Sequence, residues 1–294
     1  MFCTGVRPNT RENYEQMLTK HLLPRFGGIK LTAINRDMLQ AFFNASELSP
    51  KSKQCLRSVL HAIMEEAALS GRITTNPVNR LKLPRVTLPE IPLLESDQVA
   101  AFFKACDADE KYGDLLKLVL MTGLRISEIL GITWSCVDFA SGTVLVDHQL
   151  GNGELTPLKA GTGRTIRPGE TAMMLLMKRK AHQDACRAAC DGMWIDNLGL
   201  AFTDEIGTPY NRITAYSHCR TIGKMIGVPD LHPHALRHNY ITLAIEAGVN
   251  FKTIQAAVGH ASLQMTMDTY ARLTHDMQVT AADKMSEFFK KISP

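Results

Sequence analysis

Four short stretches, far apart in a chain of 294 residues, carry the side chains best suited to chemistry on a phosphate diester. They are Thr122-Gly123-Leu124-Arg125-Ile126-Ser127-Glu128, His234-Ala235-Leu236-Arg237-His238, Gly259-His260, and the single residue Tyr270. Arginine presents a planar fork of donors that fits two phosphate oxygens. Histidine adds a donor or acceptor whose charge is adjustable near neutral pH. A phenol attacking phosphorus is a nucleophile that such cations could serve. His234 and Arg237 are three residues apart and share a helical face. His238, one position on, is expected to point elsewhere and to be structural, and His232 has no assigned role.

The run from Thr122 to Trp134 closely resembles the first signature box of the tyrosine recombinases, the phage integrase family, in its mobile-element integrase branch. His234-x-x-Arg237 resembles the second box, and His260 stands ten residues before Tyr270, where the family has histidine or tryptophan. The resemblance implies a set of roles. Arg125 and Arg237 bind the non-bridging oxygens, with His260 as a further donor. Tyr270 attacks phosphorus while His234 helps to remove its proton. Lys159, in Thr156-Pro-Leu-Lys-Ala-Gly-Thr-Gly-Arg164, matches the family's hairpin lysine and would protonate the departing 5′-oxygen. Arg164 competes for that role, but an always-protonated guanidinium is a poor proton donor. Glu128 would orient Arg125 or a histidine, against a bland reading as a surface helix pair.

The product would be a 3′-phosphotyrosyl DNA end that a second 5′-hydroxyl can resolve without ATP, metal or other cofactor. The partners implied are double-stranded DNA recombination sites, a homo-tetramer acting on two paired sites, and DNA-bending accessory proteins. Two alternatives share the chemistry or the binding: type IB topoisomerase-like relaxation, and a DNA-binding relative that no longer recombines. A third, outside the family, is a metal site from His182, Cys186 and Cys190, which recur at every fourth position of an expected helix but lack a fourth ligand.

The elements that must position these residues are also legible. Residues 83–92 hold three prolines and cannot continue a helix. The division expected is a helical core-binding domain over 1–83, a linker over 84–92 and a catalytic domain over 93–294, mainly α with a small antiparallel sheet. Residues 1–85 carry 13 Lys and Arg against 6 Asp and Glu, an excess of seven, whereas the rest of the chain has a deficit of three. A basic front half suits a grip on a polyanion, although a solvated helical surface would look the same.

In the front segment, apolar spacing predicts helices over Thr10 to about Leu23 and Asp37 to Phe43. A long helix opens with Ser49 as cap and Pro50 in the first turn, closes at Gly71, and carries a stripe through Leu56, Val59, Leu60, Ile63, Met64 and Ala67. Lys51, Lys53 and Arg57 lie at its start, against the helix dipole, where DNA phosphates could dock.

Behind the linker, helices are expected over Asp97–Cys106 and Asp114–Met121, the latter stopped by Gly123. Strands are expected over 143–147, 155–158 and 164–167, the last two flanking a turn that bears Lys159. The chain is mainly helical from Gly169, with a helix over Phe251–Val258 ahead of Gly259. The tail carries Met285, Phe288, Phe289 and Ile292 on one face, which could pack on its own domain or on a neighbouring subunit. The chain begins almost at the core-binding helices, so the arm-binding domain of many integrases is either not a feature of this type or precedes this sequence.

Seven cysteines without paired spacing fit reduced thiols. No apolar run approaches the roughly 20 residues that span a bilayer. The first nine residues lack a signal-peptide core, so the expected location is the cytoplasm.

Overall fold

The computed structural model describes residues 8–87, 91–158, 161 and 163–259. The chain divides into two compact units, Met1–Pro89 and Glu90–Pro294.

In the front unit, helix α1 (Pro8–Met17) runs into a wider π-helical turn (Leu18–Leu22) and then α2 (Leu23–Phe26). The single helix expected to end near Leu23 is therefore three pieces, extending to Phe26. Helix α3 (Arg36–Ala45) is capped by Asn35, whose side chain accepts from Met38 N at 3.0 Å. Helix α4 (Pro50–Leu69) begins as its sequence dictates: Ser49 Oγ accepts from Ser52 N at 3.2 Å and Pro50 takes the first position. Leu56, Val59, Leu60 and Met64 are buried and Ile63 is half-buried, forming one core with Leu22, Phe26, Leu39, Phe43 and Val78, and Ala67 is buried as well.

Among its described residues the rear unit is mainly helical with two small antiparallel sheets. Helices α5 (Ser96–Asp107), α6 (Gly113–Thr122) and α7 (Ile126–Leu130) come first. Strands β1 (Val137–Asp138), β2 (Thr143–Val146), β3 (His148–Gly151), β4 (Glu154–Pro157) and β5 (Arg164–Ile166) follow, and then α8 (Glu170–Ala189), α9 (Arg212–Met225), α10 (Pro233–Glu246) and α11 (Phe251–Val258). Helix α6 is buried along most of its length and packs against α10. The core gathers Phe102, Leu115, Leu116, Val119, Ile129, Phe202, Ile222 and Leu236. The chain entering this unit is fixed on α10, because Asn239 donates to Pro92 O at 3.0 Å and accepts from Leu94 N at 2.6 Å.

The strand pairing differs from the expectation. The strands on either side of Lys159 do not pair with each other: β4 pairs with β3, and β5 pairs with β2 in the order β1-β2-β5. The reason is local. Asn152 and Gly153, both with positive φ (52° and 81°), form the two-residue turn that closes a hairpin between Gly151 and Glu154. That turn commits β4 to β3 and leaves β5 to return to β2. Lys159 itself lies outside the described residues. No helix among the described residues is long and apolar enough to cross a membrane.

Candidate active site

Arg125 owes its position to the junction between α6 and α7. Helix α6 ends where Gly123 takes a left-handed conformation (φ 63°), with its N–H donating to Val119 O at 2.9 Å. A side chain there would collide with Tyr240, since an added Cβ falls 2.2 Å from Cδ1 of that ring. Leu124 then plugs into the core and Arg125 caps α7. Three residues later Glu128, only 2% exposed, turns back: its Oε2 accepts from Arg125 N at 3.2 Å and its Oε1 from Arg125 Nη1 at 2.7 Å. One carboxylate thus closes the first turn of α7 and fixes the guanidinium of the residue that starts it.

Glu128 holds a second cation. Arg164, at the start of β5, donates from Nη2 to Glu128 Oε2 at 2.7 Å, from Nε to Ala257 O at 2.8 Å, and from Nη2 to Val258 O at 3.1 Å. Burial pushes the Glu128 pKa up, but the hydrogen bonds and charges of Arg164 and Arg125 outweigh it and the net shift is downward. The acid is therefore ionised at neutral pH. Arg125 Nη2 also reaches Gly259 O at 3.5 Å, where Gly259 (φ 68°) caps α11.

The second arginine comes from α10, which opens with Pro233 at its first position. Arg237 is 1% exposed, an unusual depth for a cation. Its Nη1 donates to Gly123 O at 2.7 Å, while its Nη2 is buried and has no hydrogen-bond partner among the described residues. Burial first, then the charges of Arg125 and Arg164, lower its pKa to about 9, with Glu128 acting the other way. It remains protonated at neutral pH.

His234 lies one turn before Arg237 and is exposed at its rim. Its pKa is lowered by desolvation, then by Arg237, His232 and Arg125, so it is neutral at pH 7. His238, expected to point elsewhere, instead faces His234. Its Nε2 lies 3.2 Å from His234 Nε2, with the rings edge to face at 4.7 Å, because residues four apart on a helix share a face.

The structure thus brings Arg125, Glu128, His234 and Arg237 into one electrostatic neighbourhood. His260 and Tyr270, like Lys159 and the tail positions Met285, Phe288, Phe289 and Ile292, lie outside the described residues. In the front unit Lys51 is exposed, Arg57 is half-buried with an unpartnered Nε, and Lys53 is 9% exposed. Lys53 thus departs from the expected free surface cation. On α8, Cys186 Sγ lies 3.6 Å from His182 Nε2, whereas Cys190 donates its thiol to Glu205 O at 3.2 Å. No group of three metal-ligating side chains occurs among the described residues.

The place of Arg164 at Glu128 is a finding of the structure: in the sequence it stands only as a competitor of Lys159.

Residues 92–277 match the phage integrase family, and residues 4–46 match the phage integrase N-terminal SAM-like domain. A tyrosine recombinase XerC-like protein of Caldanaerobacter subterraneus subsp. tengcongensis is 24% identical over 289 residues, covering 89% of this chain and 73% of that protein. The transposase from transposon Tn916 of Enterococcus faecalis is 29% identical over 220 residues, covering 68% of this chain but only 52% of its own length. The fold is shared with the Tn1549 transposon integrase in complex with a circular intermediate DNA (TM-score 0.80, 22% identity, 95% of each chain). With its matched region spanning well over half of its length, the chain belongs to the phage integrase family and is a tyrosine recombinase, an enzyme that cleaves and rejoins DNA at specific sites.

Proposed function

We propose that Tyr270 attacks a DNA phosphodiester held by Arg125 and Arg237 and forms a 3′-phosphotyrosyl intermediate. The observation that carries this reading is the buried, unpartnered Nη2 of Arg237. A donor stripped of water and left unpaired is costly, and an anion at that atom would remove the cost. Charge argues the same way. Arg125, Arg164 and Arg237 act on one another with Glu128 as their common counter-charge, so the cluster is cationic until a phosphate enters. In-line attack increases negative charge on the non-bridging oxygens, where fixed donors act most strongly.

Neutral His234 accepts the phenolic proton as the P–O bond forms, and Lys159 delivers a proton to the departing 5′-oxygen. His260 adds a donor to the phosphate. The phosphotyrosyl link keeps the energy of the diester, so a second 5′-hydroxyl reverses the step without ATP. The cationic side chains supply the charge that metal ions provide in other nucleases. The front unit, with Lys51 and Arg57, serves as the core-binding domain on double-stranded DNA. Four copies act on two paired recombination sites of a mobile element, aided by DNA-bending proteins, in the cytoplasm.

The test is incubation with duplexes carrying candidate element ends, each nicked beside the cut position so that cleavage traps the protein. The expected result is a covalent adduct mapped to Tyr270, absent in Tyr270→Phe, which still binds DNA. An adduct formed by Tyr270→Phe would overturn the nucleophile assignment.

A further inference from the structure

We infer that Arg164 is a positioning residue of this site, locking the end of α11 and the carboxylate that holds Arg125 onto strand β5. The inference rests on the function proposed above. Arg164 differs from Arg125 and Arg237 in where its donors go. Its Nε and Nη2 are spent inside the protein, on Ala257 O (2.8 Å), Val258 O (3.1 Å) and Glu128 Oε2 (2.7 Å). Arg237 keeps an unpartnered Nη2 for a ligand.

The two carbonyls are among the last four of α11, which have no partner within their own helix. A guanidinium at that end also opposes the negative pole of the helix. Its planar fork lets one side chain reach two carbonyls and a carboxylate, a geometry lysine cannot reproduce. Gly259 completes the fit: a Cβ there would fall 2.7 Å from Arg164 Cζ and Nη1. The chain thus passes directly over the guanidinium before continuing to His260, and Arg125 Nη2 reaches the Gly259 carbonyl at 3.5 Å. Arg164 therefore joins three separate stretches: β5, which follows Lys159 in sequence, α7 through Glu128, and the end of α11.

A second consequence concerns charge. Glu128 is faced by Arg125 from the start of α7, by Arg164 from β5 and, at longer range, by Arg237 from α10. Removing Arg164 leaves burial less opposed, so the acid takes up a proton at higher pH and its hold on Arg125 loosens.

The test is single-turnover cleavage of the nicked duplex by the full chain across pH 5.5–8.5, with DNA affinity and melting temperature measured in parallel. Arg164→Gln is expected to bind DNA within about threefold of the unmodified protein. Its cleavage should fall at least tenfold, with a further acid limb, from protonation of Glu128, above the one that His234 sets. Arg164→Lys removes that further limb, because it restores the charge, but does not restore the rate, because it lacks the fork. Cleavage by Arg164→Gln within twofold of the unmodified protein at every pH overturns the inference. So does a loss of rate that merely tracks lost affinity or lost folding in both variants, which makes the residue structural. An unmodified protein that forms no adduct refutes the proposed function instead.

Discussion

Arg237 Nη1 lies 2.7 Å from the carbonyl oxygen of Gly123, 114 residues earlier in the chain. That bond fixes the guanidinium against the end of α6 and leaves Nη2 buried without a partner. In the proposed reaction, orientation and phosphate binding therefore fall to different nitrogens of one side chain. Arg237→Ala should lower the rate of adduct formation about 10²–10³-fold, the usual cost of one preorganised donor to a developing anion. Arg237→Lys should recover little, since one ammonium cannot both hold Gly123 O and meet a phosphate oxygen. Single-turnover cleavage of a nicked duplex checks both, and a fall of less than fivefold in Arg237→Ala would remove this residue from phosphate binding.

Glu128 sets the stability of the cluster. Its carboxylate is buried and accepts from two guanidiniums and a backbone N–H. Glu128→Gln keeps the shape but leaves Arg125 and Arg164 without their counter-charge, and breaking a buried pair in this way costs about 3–5 kcal/mol. The pH dependence follows from the lowered pKa of Glu128 in the folded protein. Its stabilisation is complete above the unfolded value of about 4.3 and is lost as pH falls through the folded value. The melting difference between the unmodified protein and Glu128→Gln should therefore be largest near neutrality and shrink below about pH 4. A difference independent of pH would contradict this account.

His234 gives the complementary test near neutrality. Desolvation and the charges of Arg237, His232 and Arg125 depress its pKa. An unfolded histidine protonates near 6.5, roughly, while the folded one resists until lower pH, so stability rises with pH between the two values. In the DNA-free protein, NMR titration of the His234 ring should give a midpoint below 6.5. Cleavage should then fall as pH drops through the range in which His234 gains its proton. A midpoint above 6.5 would argue against His234 as the acceptor of the tyrosine proton.

What could be read in advance was what depends on neighbours in sequence. The start of α4 is set by Ser49 and Pro50, and α6 ends at Gly123 because only glycine fits that backbone beside Tyr240. The pairing of Arg125 with Glu128 is likewise a three-residue relationship. Strand partners were harder. The hairpin turn at Asn152-Gly153 decides that β4 joins β3, yet the return of β5 to β2 depends on the seventeen residues between Val146 and Arg164. The role of Arg164 was not legible, because two of its acceptors are backbone carbonyls 93 and 94 residues away and carry no side-chain signature. The same limit applies to His238, whose partner is evident only once helical phase is followed from His234 rather than from Arg237.

Gly123 joins a local constraint, the end of α6, to a distant one, the placement of Arg237. Its φ of 63° is costly for any residue with a Cβ, and that Cβ would sit 2.2 Å from the Tyr240 ring. Gly123→Ala must therefore move either Tyr240 or the end of α6, and overpacking of this kind typically costs about 1–3 kcal/mol. The effect on chemistry should exceed the effect on stability. The displaced atom is the carbonyl that holds Arg237, and small misplacements of a catalytic donor can lower a rate about 10²-fold. We expect Gly123→Ala to remain folded at 25 °C, to bind DNA, and to cleave about 10–100-fold more slowly than the unmodified protein. The double variant with Tyr240→Ala removes the Cγ, Cδ1 and Cε1 atoms that the new methyl would meet and should relieve that clash. It should not regain the full rate, because the positive φ still disfavours alanine and still shifts the carbonyl. Complete recovery of cleavage in the double variant would show that the clash alone, and not the backbone at Gly123, governs the placement of Arg237.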